Sequence, residues 1–251
     1  MTMNTASMQP DTSVSAPDDF LTAAFGYPCR ALVMPGDLDQ LASELAVYPA
    51  PAFMWTKISG RDDPSFAKLT ALGFTIAVEE ITYERPADAP AHDADSPVGF
   101  TVHRVTPDDI GIADEIGALA AANQTTSRFH QDPRIPNAVA AEVKKRWAMN
   151  FFAGRRGQEM FIATQPDGRI VGFNQVLVNP DCKVIDLICT ASNVRRRGVA
   201  RAIAQAMFAP SVKTRVGSQA NNTPADAFYR SLGFVPIGSS ICLHWHAGSV
   251  A

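Results

Sequence analysis

Cysteine is scarce in this sequence, and what there is lies scattered: Cys29, Cys182, Cys189 and Cys242 in 251 residues, with no Cys-x-x-Cys pair. That spacing excludes a disulfide scaffold and a zinc-ribbon module, and it fits a reducing compartment, so a cytoplasmic location is expected. No run of 18 apolar residues occurs, so no membrane-spanning helix is expected. The opening residues 1–20 lack a basic segment followed by an apolar one, and no secretory leader is read there. With 46% hydrophobic and 19% charged residues, the remainder is the composition of an ordinary globular chain.

Net charge is also small, −3, until it is divided along the chain. Residues 1–99 hold five Lys and Arg against fourteen Asp and Glu, a balance of −9. Residues 100–251 hold seventeen against eleven, a balance of +6. A step of that size suggests two units, the basic one meeting an anion.

Periodicity supports the same division. Residues 1–17 are rich in Ser, Thr, Pro and Asp and read as a disordered tail. A first unit over 18–85 contains a helix at 37–48, a strand at 51–59, a helix at 65–73 ended by Gly73, and a strand at 74–84. Residues 86–98 carry prolines without an apolar pattern and read as a linker. The second unit, 99–251, alternates more regularly. It reads as a strand at 100–106, a helix at 107–123 opened by Pro107, a proline-broken loop at 125–136 and a helix at 137–152. A hairpin about Gln165–Gly168, a strand at 183–190 and a helix from Gly198 to Ala209 follow. A strand at 214–219, a helix at 223–233 and closing strands over 234–246 complete it. One repeat is visible: PSFAKLTALGF at 64–74 and PADAFYRSLGF at 224–234 match at Pro, Ala and Leu-Gly-Phe with an offset of 160. A decayed duplication accounts for it. The expected class is α/β, with a mixed sheet.

The most informative segment is 185–208, where a strand ends in a polar turn and Arg195-Arg196-Arg197-Gly198-Val199-Ala200 opens a buried helix. A glycine permits close backbone approach, and a helix start offers unpaired N–H groups and a positive dipole end. A pyrophosphate suits such a nest. The segment carries neither Gly-x-Gly-x-x-Gly nor Gly-x-x-x-x-Gly-Lys-Ser/Thr, so the usual dinucleotide and triphosphate loops do not apply.

Arg195-x-x-Gly198-x-Ala200 after such a strand resembles the pyrophosphate loop of the GNAT N-acyltransferase superfamily. Asn222-x-x-Ala225-x-x-Phe228-Tyr229 before Leu232-Gly233-Phe234 resembles that family's second motif. Ser127-Arg128-Phe129-His130-x-Asp132-Pro133, Trp147 and Gln219 are similar to the bacterial nucleotide-aminosugar N-acetyltransferases of the dTDP-fucosamine type. Those carry an N-terminal partial GNAT-like domain, in keeping with the repeat. The resemblance covers about residues 100–246.

The resemblance implies a GNAT fold with a V-shaped splay between its central strands, and acetyl-CoA lying in that gap. Ile188, Cys189 and Thr190 would line the thioester end, and a nearby N–H would stabilise the oxyanion. Arg195, Arg196, Arg197, Gly198, Val199, Ala200 and Arg201 would hold the pyrophosphate. Asn222, Ala225 and Phe228 would flank the cofactor. Tyr229 would protonate the departing thiolate, and a carboxylate of the first unit, Glu79 or Glu80, would take the amine's proton, with Asp186 and His130 as further candidates. Ser127, Arg128, Phe129 and Gln219 would meet the acceptor, a small-molecule amine, plausibly a nucleotide-linked amino sugar. Another small amine, a peptide or protein amine, or a non-catalytic acyl-CoA-binding regulator are the competing readings. A homodimer is left open.

Blander readings apply elsewhere. Leu69 stands where the repeat places Tyr229, and no arginine loop precedes it, so the first unit reads as non-catalytic. Cys242, His244 and His246 alternate on one strand, and three side chains so placed bind metal poorly; no metal is expected. Three arginines without interleaved aromatics are a thin footprint for nucleic acid, so neither nucleic acid nor membrane is expected as a partner.

Overall fold

The computed structural model describes residues 14–34, 36–89 and 99–248. Most of the expected tail and linker lies outside these. Where the tail is described it is ordered: β1 (Ser15–Pro17) pairs antiparallel with β2 (Cys29–Leu32). The reason is polar anchoring that composition does not reveal. Arg30 Nε donates to Ser15 Oγ at 2.7 Å, and the Val14 amide donates to Glu44 Oε1 at 3.2 Å.

Between these strands runs α1 (Asp19–Phe25), capped by the Asp18 carboxylate, which accepts from the Leu21 amide at 2.9 Å, and closed by Gly26 in the left-handed region. Next come α2 (Leu38–Val47), β3 (Ala52–Ile58), α3 (Phe66–Ala71) and β4 (Thr75–Arg85). The second half contributes β5 (Thr101–Val105), α4 (Ala113–Asn123), α5 (Arg128–Gln131), α6 (Asn137–Met149), β6 (Glu159–Thr164), β7 (Ile170–Val178) and β8 (Cys182–Thr190). It ends with α7 (Val199–Gln205), β9 (Lys213–Gln219), α8 (Thr223–Ser231) and β10 (Val235–Ala247).

Several boundaries differ from the sequence reading for local reasons. Helix α4 begins at Ala113 instead of Pro107, because the Asp109 carboxylate accepts from the Thr106 amide and hydroxyl and turns the chain first. The loop at 125–136 contains the short helix α5. Helix α7 stops at Gln205, short of Ala209, and beyond its end the Met207 carbonyl accepts from Lys183 Nζ. The closing strands are one long strand with two register shifts.

All ten strands form one sheet in the order β1-β2-β3-β10-β4-β9-β8-β7-β6-β5. Helices α4 and α7 pack on opposite faces of its second half, with Ile162 and Phe173 in the core beneath one and Ala163 and Val171 beneath the other. The expected units 18–85 and 99–251 are therefore halves of a single sheet. The repeat offset of 160 carries through: the end of β3, the end of α3 and the start of β4 fall within one residue of those of β9, α8 and β10. Both helices close alike, with Gly73 at φ 91 and Gly233 at φ 84, and with the amides of Phe74 and Phe234 donating to the carbonyls of Leu69 and Tyr229. Then the halves trade strands. β4 lies beside β9 instead of β3, and β10 lies beside β3 instead of β9.

Candidate active site

β8 and β9 are parallel partners only from Cys182↔Lys213 to Ile185↔Val216. Asp186 is then bulged out of register against β7, and the strands part; β8 stays with β7 to Thr190, while β9 stays with β4 to Gln219. The expected V-shaped splay is present. It opens a cleft of about 530 Å³ between the strand ends, the start of α7 and the face of α8. Beyond Ile185 its strand edge has no partner strand on this side, and the side-chain amide of Gln124 donates to the Ile188 carbonyl there.

Of the residues expected around acetyl-CoA, Ile188, Cys189, Thr190, Ala200, Asn222, Ala225 and Phe228 line this cleft. Arg195, Arg196, Arg197 and Gly198 are exposed just before α7, with Arg196 and Gly198 both left-handed at φ 65 and 81. Arg197 lies over the Phe100 ring at 4.6 Å, Arg201 donates to Ser231, and Val199 is buried in the core under α7. Asn222 caps α8 through its carbonyl oxygen, which accepts from the Ala225 amide. Burial pushes the Cys189 thiol up to about 12, so it is no thiolate nucleophile.

Tyr229 is buried on α8 against Tyr83, Phe228 and Phe234 and lines the cleft. Its hydroxyl has no hydrogen-bond partner among the described residues, whereas that of Tyr83 donates to Asp226 at 2.7 Å. Burial raises the Tyr229 pKa above its usual value, so the phenol stays protonated.

A second, larger cavity of about 1100 Å³ adjoins the first and shares Lys57, Glu80, Lys144, Trp147, Arg156 and Gln219 with it. Strand alternation separates the two candidate bases. Glu80 faces both cavities and pairs with Lys57, while Glu79 is exposed, pairs with Arg61 at 2.9 Å and lines neither. Asp186 is fully engaged: Arg156 donates to both its oxygens at 2.6 and 2.8 Å, joined by Trp147 at 2.8 Å and Gln175 at 3.0 Å. His130 binds Ser127 Oγ through Nδ1 at 2.8 Å and lines neither cavity. Ser127, Arg128, Phe129 and Gln219, expected at the acceptor, all line the larger cavity.

Sequence reasoning missed Lys57, Trp55, Tyr83, Gln124 and Lys144. A basic run beside an aromatic, Lys144-Lys145-Arg146-Trp147, was the available signal for the last. Asp132 stood in the motif at 127–133, but its link to the histidines was missed. Its Oδ2 bonds His244 Nδ1 and His246 Nε2, each at 2.8 Å, in a wholly buried cluster. A shared carboxylate acceptor assigns N–H to those two nitrogens, and the opposite ring nitrogens are unpartnered lone pairs. Cys242 does not join them; it accepts from Arg128 at 3.0 Å. The cluster ties β10 to the segment carrying Ser127–Phe129.

Residues 156–236 match the family model described as an acetyltransferase (GNAT) domain. The spore coat polysaccharide biosynthesis protein SpsD of Bacillus subtilis (strain 168) is 26% identical over 150 residues, 58% of this chain and 51% of that protein. The chain thus spans about half the length of the curated relative it matches. Among solved structures, a GCN5-related N-acetyltransferase from Sphaerobacter thermophilus superposes with a TM-score of 0.62 at 14% identity, covering 94% of this chain and 76% of that one. A tandem GNAT protein from the clavulanic acid biosynthesis pathway, without acetyl-CoA, gives 0.60 at 16% identity, covering 90% and 77%. Residues 156–236 therefore resemble a GNAT acetyltransferase domain, and the fold of these two solved structures extends over 94% and 90% of the chain.

Proposed function

We propose that the protein is an acetyl-CoA-dependent N-acetyltransferase acting on a small amine, with a nucleotide-linked amino sugar as the leading acceptor class. The observation that carries this reading is the junction of two cavities: a strand-edged cleft with Tyr229 on its wall opens into a roomier, charged chamber through Glu80 and Gln219. The polysaccharide-biosynthesis relative supports a sugar acceptor.

Acetyl-CoA supplies the activated acetyl group. The unpaired edges of β8 and β9 bond its pantetheine arm, and backbone amides from Arg197 to Arg201 hold its pyrophosphate beside the exposed arginines. An amide near Cys189 or Thr190 polarises the thioester carbonyl. Glu80 accepts the proton that the amine sheds, directly or through water, and its pairing with Lys57 holds the carboxylate in place. Tyr229 donates to the leaving sulfur. Because burial raises the phenol's pKa, a hydrogen bond that stabilises developing thiolate is the larger part of its role, ahead of complete proton transfer.

Coenzyme A release, followed with a thiol reagent across nucleotide-linked amino sugars, polyamines and peptides, tests the proposal. Acceptor-dependent release with the sugar nucleotides is expected. Binding of acetyl-CoA with no release against any amine would make the protein a sensor, and release with peptides alone would move the acceptor class.

A further inference from the structure

Lys144, where the two cavities meet, and Arg128, in the larger one, are cations with no ion-pair partner among the described residues. Lys144 projects from α6 and is buried, with its ammonium 4.7 Å from the centre of the Trp147 ring. Arg128 from α5, Arg156 from the loop after α6, Glu80 from β4 and Asp186 from β8 act on it electrostatically, and it in turn acts on His130. Both carboxylates are already taken. Asp186 is held by Arg156 through two hydrogen bonds, and Glu80 by Lys57. Arg128 has no carboxylate partner either among the described residues; it lies over the Trp55 ring at 4.0 Å and the Phe129 ring at 4.7 Å.

A buried ammonium with no carboxylate of its own, beside a guanidinium whose hydrogen bond goes to the Cys242 sulfur, is costly. Burial and the neighbouring Arg128 accordingly bring the Lys144 pKa down to about 8. The same arrangement is favourable once an anion enters, because both cations gain a charged partner. A guanidinium offers a fork that fits a planar or tetrahedral oxyanion, and an ammonium adds a compact charge.

We infer that Arg128 and Lys144, between Trp55 and Trp147, form an oxyanion subsite that takes a phosphate or carboxylate carried by the acceptor. Calling the ligand an acceptor rests on the acetyltransferase reading; the anion site itself does not. The acceptor class is then an amine that also bears an oxyanion, and uncharged amines are discriminated against by the unneutralised pair.

Tryptophan fluorescence tests the site apart from turnover, because Trp55 and Trp147 flank it. With the protein saturated in coenzyme A, so that the cofactor's own phosphate site is filled, inorganic pyrophosphate and succinate are titrated separately. Saturable quenching is expected, with the tighter anion distinguishing phosphate from carboxylate. Lys144→Met and Arg128→Gln should each weaken it at least tenfold, and Arg128→Gln, at a residue that does not line the cofactor cleft, should leave coenzyme A affinity unchanged. Either variant carries the test if near-ultraviolet circular dichroism finds it folded. No saturation in the wild type, or equal saturation in a folded variant, would overturn the subsite. Acetyl transfer to uncharged amines that ignores Lys144→Met would do the same and leave the acetyltransferase reading standing. Anion binding without transfer to any amine would do the reverse.

Discussion

The halves of this molecule run through the same five elements, strand, helix, strand, helix, strand, and differ in what lies between the parallel pair. In the first half β2 and β3 diverge after Ala31↔Trp55, and Thr56 Oγ1 closes on the Leu32 carbonyl at 3.1 Å, over a core of Leu32, Leu41, Met54, Leu69 and Phe74. In the second half the corresponding divergence of β8 and β9 is left open and lined by Tyr229. The helix starts differ too. At α2 the Asp37 carboxylate accepts from the amides of Asp39 and Gln40, so the donors are already consumed. At α7 the capping residue is Gly198, which has no side chain to spend on them, and three arginines precede it. One framework is thus satisfied internally in one copy and left with unmet hydrogen-bonding capacity in the other. Binding ability follows from the second condition, not from the framework.

The sharpest way to break this comparison is to remove what the second half alone has. Tyr229→Phe should lower turnover about 100-fold with acetyl-CoA affinity unchanged, measured by steady-state kinetics beside equilibrium binding. Unaltered turnover would make Tyr229 a packing residue like Leu69. Next comes the contribution of the first half. Glu80→Gln should reduce kcat roughly tenfold at saturating acceptor, whereas Glu79→Gln should leave it alone. Equal effects would mean that β4 presents no single face to the cleft.

A smaller effect concerns the cluster that joins β10 to the acceptor segment. His244 is held down to about 4 by burial, against about 6.5 in an unfolded chain. Between those values the unfolded state binds more protons, so stability falls as pH drops through that window and is steady above it. Thermal melts from pH 7 to 4 should show the fall, and His244→Asn should lessen it. The smallest change is Asp37→Ala, which removes the side-chain cap of α2 and should lower stability slightly. Urea denaturation should register it, with no loss of coenzyme A binding. If binding weakened, the two helix starts would not be separable in the way described.

Much of the fold was legible in the sequence because it rests on local rules. Leu-Gly-Phe after a helix, Pro near the start of one, and the turn at Gln165–Gly168 announced themselves by residue type, and the repeat tied the halves together. The splay followed from resemblance. What stayed hidden depends on contacts between distant residues. Nothing near Ser15 announces that Arg30 and Glu44 will anchor it. Asp132 gives no hint that two histidines more than a hundred residues away share its oxygen. The choice between Glu79 and Glu80 needed a strand register, and the isolation of Lys144 needed knowledge of which carboxylates its neighbours had already taken.

The exchange of β4 and β10 has a consequence for the order in which this chain can fold. β3 is complete early in synthesis, yet its inner neighbour is β10, which leaves the ribosome after the other nine strands of the sheet; Ile58 pairs with Ile241. Until then both β3 and β4 present bare edges on that side, an invitation to pair with other chains. Loop closure across so long a separation is slow, and the central strand is the last to lock. The first half is therefore not a module that waits, finished, for the second. A ribosome-held chain truncated before residue 235 should expose those edges, and the cleft forms within a sheet that only the final strand completes.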